Sequence, residues 1–96
     1  MSQFTCITFG SANYTSTDGT PRWWNERSTW STQYRAERYG LASMPIAGTF
    51  GYVVIEEMED AWQVVDECGA PEHAVSIHQD AHGDFHVQPA PQLVLV

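Results

Sequence analysis

The run His78-Gln79-Asp80-Ala81-His82-Gly83-Asp84-Phe85-His86 is the densest set of groups in this chain that could hold a metal or move a proton. Folded as two strands around a three-residue loop, Ala81-His82-Gly83 with Gly83 left-handed, it sets Ile77 opposite Val87 and Gln79 opposite Phe85. The other face then receives His78 opposite His86 and Asp80 opposite Asp84. A two-residue loop would mix apolar and polar residues on each face, so register favours the longer one. Cross-strand neighbours stand about 5 Å apart, close enough for two imidazoles and two carboxylates to share zinc or a similar divalent ion. The same alternation also produces an ordinary solvated sheet face without any metal. The plainer reading is preferred, and no metal or cofactor is assigned.

Nothing else assembles a reaction centre. The chain has no Gly-rich phosphate loop, no Cys-x-x-Cys and no His-Glu-x-x-His. No nucleophile-plus-base pattern is recognisable, and His73 stands alone after Pro71-Glu72 as a surface residue. The expected protein is not an enzyme.

Charge supplies the stronger signal. The chain contains no lysine, and its last arginine is Arg38. The first 48 residues hold four arginines and three acids; the last 48 hold nine acids and no lysine or arginine, within a whole-chain charge of −8. A one-signed surface selects its partners. The apolar residues Ile55, Met58, Ala61, Trp62, Val65 and Cys68 recur at helical spacing before Gly69 and Pro71, which predicts a helix over 56–68. On that helix Glu56, Glu59, Asp60, Gln63 and Glu67 form a stripe with a pitch of about 6 Å, close to the separation of successive phosphates on a nucleic-acid strand. The alternatives are a solvated, solubilising helix face and a hairpin in which 56–61 turns and Trp62-Gln63-Val64-Val65 returns.

Arg22, Trp23, Trp24, Arg27, Trp30, Tyr34, Arg35, Arg38 and Tyr39 concentrate residue types enriched at interface hot spots. Core packing with snorkelling arginines is the bland account of them. An exposed anchor for a protein partner is the functional one. Stacking on single-stranded nucleic acid uses similar residues, but the net charge opposes it, so no direct nucleic-acid contact is expected.

The elements that would position these groups follow from local patterns. Phe4 to Phe9 is rich in β-formers and reads as a strand. Gly10 to Gly19 reads as a loop or weak hairpin arm with an Asp18-Gly19 turn. Thr20-Pro21 looks like a helix start. Trp23, Trp30 and Tyr34 share a helical face, Gly40 is a C-cap candidate, and the helix is best defined over Arg27–Tyr39. Leu41 to Ala47 connects it to an inner strand, Thr49–Ile55. Gln92–Val96 is expected to form a terminal strand. One α+β domain over 1–96 is predicted: an antiparallel sheet of four to five strands with one or two helices on one face.

The absence of a basic, then apolar, leader after Met1 and of any long apolar run points to a cytoplasmic protein away from membranes. Cys6 and Cys68 are expected as reduced thiols unless their α-carbons lie within about 7 Å. In size and charge the chain is similar to small acidic proteins with which phages and mobile elements block host nucleic-acid-handling machines. That profile implies an inhibitor or modulator acting as a nucleic-acid mimic on a larger basic protein or nucleoprotein complex. Glu56, Glu57, Glu59, Asp60 and Glu67 would enter its cationic groove, with Trp23, Trp24, Arg27 and Trp30 adding short-range affinity. The rivals are an assembly subunit or homo-oligomer, such as a virion component, joined through the apolar strand 92–96, and a metal-binding module built on His78, Asp80, Asp84 and His86.

Overall fold

Two strands that are apolar on both faces dictate the layering. In the first, Phe4 and Cys6 point to one side while Ile7 and Phe9 point to the other; in the third, Tyr52 and Val54 oppose Val53 and Ile55. A sheet centred on such strands must be covered twice. A computed structural model describes residues 3–12, 22–69 and 75–89 and shows both covers. The elements are β1 (Gln3–Ala12), β2 (Arg22–Trp30), α1 (Gln33–Ser43), β3 (Thr49–Glu57), β4 (Trp62–Cys68), β5 (Val75–Gln79) and β6 (Phe85–Pro89). Strands β2-β1-β3-β4 form an antiparallel sheet in that order, and β5 pairs with β6 as a separate ribbon. The described residues are mostly β with one helix.

Helix α1 lies on the face of Cys6, Tyr52 and Val54, inserting Ala36 and Tyr39. The ribbon covers the opposite face, placing Phe85 and Val87 against Ile7, Phe9, Val53 and Ile55. Its docking is polar as well as apolar. From β2, Trp23 Nε1 donates to the Val87 carbonyl at 2.7 Å, Asn25 Oδ1 accepts from the Val87 N–H, and Arg27 donates to the Phe85 carbonyl at 3.2 Å. Three alternate side chains of one strand thus satisfy backbone groups along β6, which would otherwise be desolvated without partners.

Several expectations are corrected. The helix predicted over Arg27–Tyr39 is replaced by strand β2 up to Trp30, followed by α1. Its N-cap is Thr32, whose hydroxyl accepts from the Arg35 N–H at 3.2 Å. The Ser28–Thr32 hydroxyl residues and adjacent aromatics suit an extended chain better than a helix interior. Trp23 and Trp30 therefore face opposite sides of a sheet. Gly40 is not a C-cap. It is buried inside α1, where a β-carbon would come within 2.6 Å of the Tyr52 ring.

The helix predicted over 56–68 is absent. Residues 56–57 finish β3, 58–61 turn, and 62–68 return as β4. Pairing Val54 with Asp66 and Ile55 with Val64 leaves Val65 as a bulge, and a strand with one extra residue imitates helical spacing. The ribbon register agrees with expectation: Ile77 faces Val87, His78 faces His86 and Gln79 faces Phe85. The proposed Asp18-Gly19 turn, the Thr20-Pro21 cap, His73 and strand 92–96 lie outside the described residues. No helix among the described residues is long and apolar enough to cross a membrane.

Candidate functional site

The β3–β4 turn carries the most concentrated charge. Its Met58 N–H donates to the Ala61 carbonyl at 2.8 Å, closing a loop that presents Glu59 and Asp60 to solvent. The neighbouring carboxylates are held by the sheet. Glu57 Oε2 accepts from Thr5 Oγ1 at 2.9 Å and Gln3 Nε2 at 3.2 Å. Glu56 accepts from Gln63 at 2.9 Å, and Asp66 accepts from the Tyr52 hydroxyl at 3.0 Å. Burial first, and then that bond to Asp66, push the Tyr52 phenol above its usual range.

Strand alternation divides the acids that a helix would have aligned. Glu57 pairs with Trp62 and Glu67 with Val53, on the ribbon side; Glu56 and Asp66 are on the helix side. The evenly pitched stripe does not exist. In its place is an acidic turn beside an open cleft of about 250 Å³, lined by Glu57, Met58, Glu59, Asp60, Trp62 and Phe85 among others. Trp62 stands edge-on to the buried Phe85 ring, with centroids 5.1 Å apart and planes at 74°. An indole wall with carboxylates at the rim suits a guanidinium or ammonium group, which gains a ring face and charge-assisted hydrogen bonds together.

Tryptophans from the arginine-rich segment are engaged within the fold. Trp23 stacks on Phe9 at 5.5 Å and meets Phe50 at 6.0 Å besides bonding to β6. Trp24 is half-buried on the helix face, its ring against Gly10. Trp30 donates to Ser28 Oγ at 2.7 Å and packs on Tyr39 at 5.3 Å. Trp30 and Tyr39, with Tyr34, Arg35 and Arg38, line a second, shallower groove of about 520 Å³. The Arg38 guanidinium lies 5.9 Å from the centre of the Tyr34 ring. The sequence set these five residues in one segment enriched in hot-spot types; the strand-to-helix corner at 31–32 folds them into a single groove and leaves Trp23 on the other face.

Asp80 organises the histidine loop. Its Oδ1 accepts from the backbone N–H groups of His82 at 2.9 Å and Asp84 at 3.0 Å, while Oδ2 lies 2.8 Å from His86 Nε2. The bond to His86 leads, and the backbone donors assist, in holding its carboxyl below the usual carboxylate range. His78 stacks on His86 at 5.1 Å. Among the described residues, no three His, Cys, Asp or Glu side chains converge as a metal site. Asp80 followed by Gly83 was the available signal for a side-chain-tied turn.

Charge is sorted by strand order. β2 carries Arg22, Arg27 and Glu26; β1 has no charged residue; β3 ends in Glu56-Glu57; and β4 carries Asp66 and Glu67. All the arginines therefore sit on β2 and α1, and the opposite edge is wholly anionic. No family model matches the chain, and no curated protein or solved structure is significantly similar to it.

Proposed function

We propose that this is a non-enzymatic binding protein whose acidic turn occupies a cationic surface of a larger protein or nucleoprotein complex, in a reducing cytoplasm, and so inhibits or modulates it. The observation that carries the reading is the β3–β4 turn itself. Glu59 and Asp60 are presented at the end of a braced hairpin beside an indole-walled cleft, and no lysine or arginine follows Arg38 in the chain. Glu57 lines the same cleft, Glu56 adjoins the turn on the opposite face, and Glu67, near the far end of β4, extends the same sign along that edge. An arginine or lysine of the partner enters against Trp62, while the remaining acids displace the counterions or nucleic acid that the partner's groove would otherwise hold. A phage- or mobile-element-encoded protein that blocks host machinery fits this mode of action, and no chemistry is required.

The test is capture by immobilised protein from native host lysate at about 50 mM salt, a condition that leaves surface charges weakly screened. The wild type is expected to retain a basic protein that elutes as salt rises. Glu59→Lys with Asp60→Lys should retain far less and flatten the salt dependence. Equal retention by the two proteins would reject the acidic turn as the contact.

A further inference from the structure

The end of the sheet that bears the acidic turn also bears the arginine–aromatic groove. Phe4 pairs with Trp30 on one side and Glu56 on the other. Adjacent strands lie about 4.8 Å apart, so roughly 10 Å separates the β2 end from the β3 end. Glu57 leads directly into the turn, and α1, with Arg35 and Arg38, begins just beyond Trp30. A cationic receptor and an anionic projection therefore stand side by side.

We propose that this end is a two-fold interface between copies of the chain, the Met58-Glu59-Asp60 turn of each seated in the Trp30/Tyr39/Arg35/Arg38 groove of the other. A contact in which each copy offers both halves is self-complementary and closes as a dimer. The chemistry matches group by group. Met58, 41% exposed, is an apolar side chain bracketed by acids, and its thioether suits the tilted Trp30–Tyr39 floor. Glu59 and Asp60 suit the guanidinium groups of Arg35 and Arg38, which can take carboxylates bidentately. Tyr34, 68% exposed beneath Arg38, becomes covered. The match of a bracketed methionine to an aromatic floor favours a second copy over an unrelated acidic peptide. Each copy carries −8, so repulsion opposes approach at long range. The contact prevails at close range, and best near 0.15 M salt, where charges beyond about 8 Å are screened.

The dimer would use the same turn that the partner reading assigns to a basic surface, so the two would compete for it, and a charge swap tests the dimer by sedimentation equilibrium near that salt concentration. The wild type should dimerise. Arg35→Glu with Arg38→Glu, and separately Glu59→Lys with Asp60→Lys, should each weaken the dimer by about tenfold or more. All four residues are exposed, and far-UV circular dichroism should show both variants folded. Mixed in equal amounts, the two variants should dimerise again, because both contacts of the mixed pair bring opposite charges together. A wild type that stays monomeric at about millimolar concentration, a dimer indifferent to either reversal, or a mixture that stays monomeric would each overturn the proposal. The Arg35→Glu/Arg38→Glu variant separates the two ideas, since it should lose the dimer yet keep any basic partner.

Discussion

Cys6 illustrates what surroundings do to one side chain. It is fully buried on the helix face, and burial, aided by the nearby Asp66 carboxylate, pushes its thiol from an ordinary value of 9.0 up to about 12. The neutral form is favoured in the fold, so its contribution to stability is complete below pH 9 and is lost as pH rises toward 12. Tyr52 adds a loss of the same sign at higher pH. Cys6→Ala should therefore flatten, without abolishing, the alkaline fall in urea midpoint between about pH 9 and pH 12, the range spanned by the Cys6 shift. Cys68 sits two strands from Cys6, beyond β3, and is offset from it by two residues along the strands, so the two α-carbons are about 12 Å apart, too far for a disulfide. Both thiols are free. Asp80 has the reverse sign: its depressed carboxyl stabilises the histidine loop above the ordinary carboxylate range, and that support is lost as pH falls through the folded value. Acid should shift the His82 and Asp84 amide resonances first, and Asp80→Ala should reproduce the shift at neutral pH.

At the scale of elements, the legible parts were those whose pattern had one solution. Phe4–Phe9 and Thr49–Ile55 follow from runs of β-formers that are apolar on both faces, and the ribbon register from alternation and a glycine turn at Gly83, where φ is +88°. The misread parts had two solutions. Trp23, Trp30 and Tyr34 fit a helical face as well as they fit two sides of a strand and the helix after it. The bulge at Val65 likewise gave β4 the spacing of a helix. Partners distant in sequence settled both cases, as in the bonds from β2 to β6, and no local window contains them. Two substitutions probe these long-range fits. Gly40→Ala should cost about 1–3 kcal/mol as the new methyl meets the Tyr52 ring, measurable by chemical denaturation. Asn25→Ala should cost about 1–3 kcal/mol by leaving the Val87 N–H without its acceptor. Hydrogen exchange should then speed at Val87 while Val53, in the sheet interior, keeps its protection.

For the whole molecule, the acidic composition was plain in the sequence, but its placement was not. The chain order showed an anionic second half; the strand order β2-β1-β3-β4 turned that into two opposed edges, with the arginines on one side. Crowding like charge along β3 and β4 weakens the compact state. Adding salt from about 20 to 200 mM shrinks the Debye length from tens of ångströms to below 10 Å. The melting temperature should rise over that range, as followed by circular dichroism. Sorting charge to opposite edges also gives the molecule a permanent moment across its strands. A cationic body exerts a torque on that moment before it exerts any contact force, turning the β4 edge toward itself during the approach. Fewer collisions are then wasted on the wrong face, and the benefit falls on how quickly an encounter succeeds rather than on how long the complex lasts.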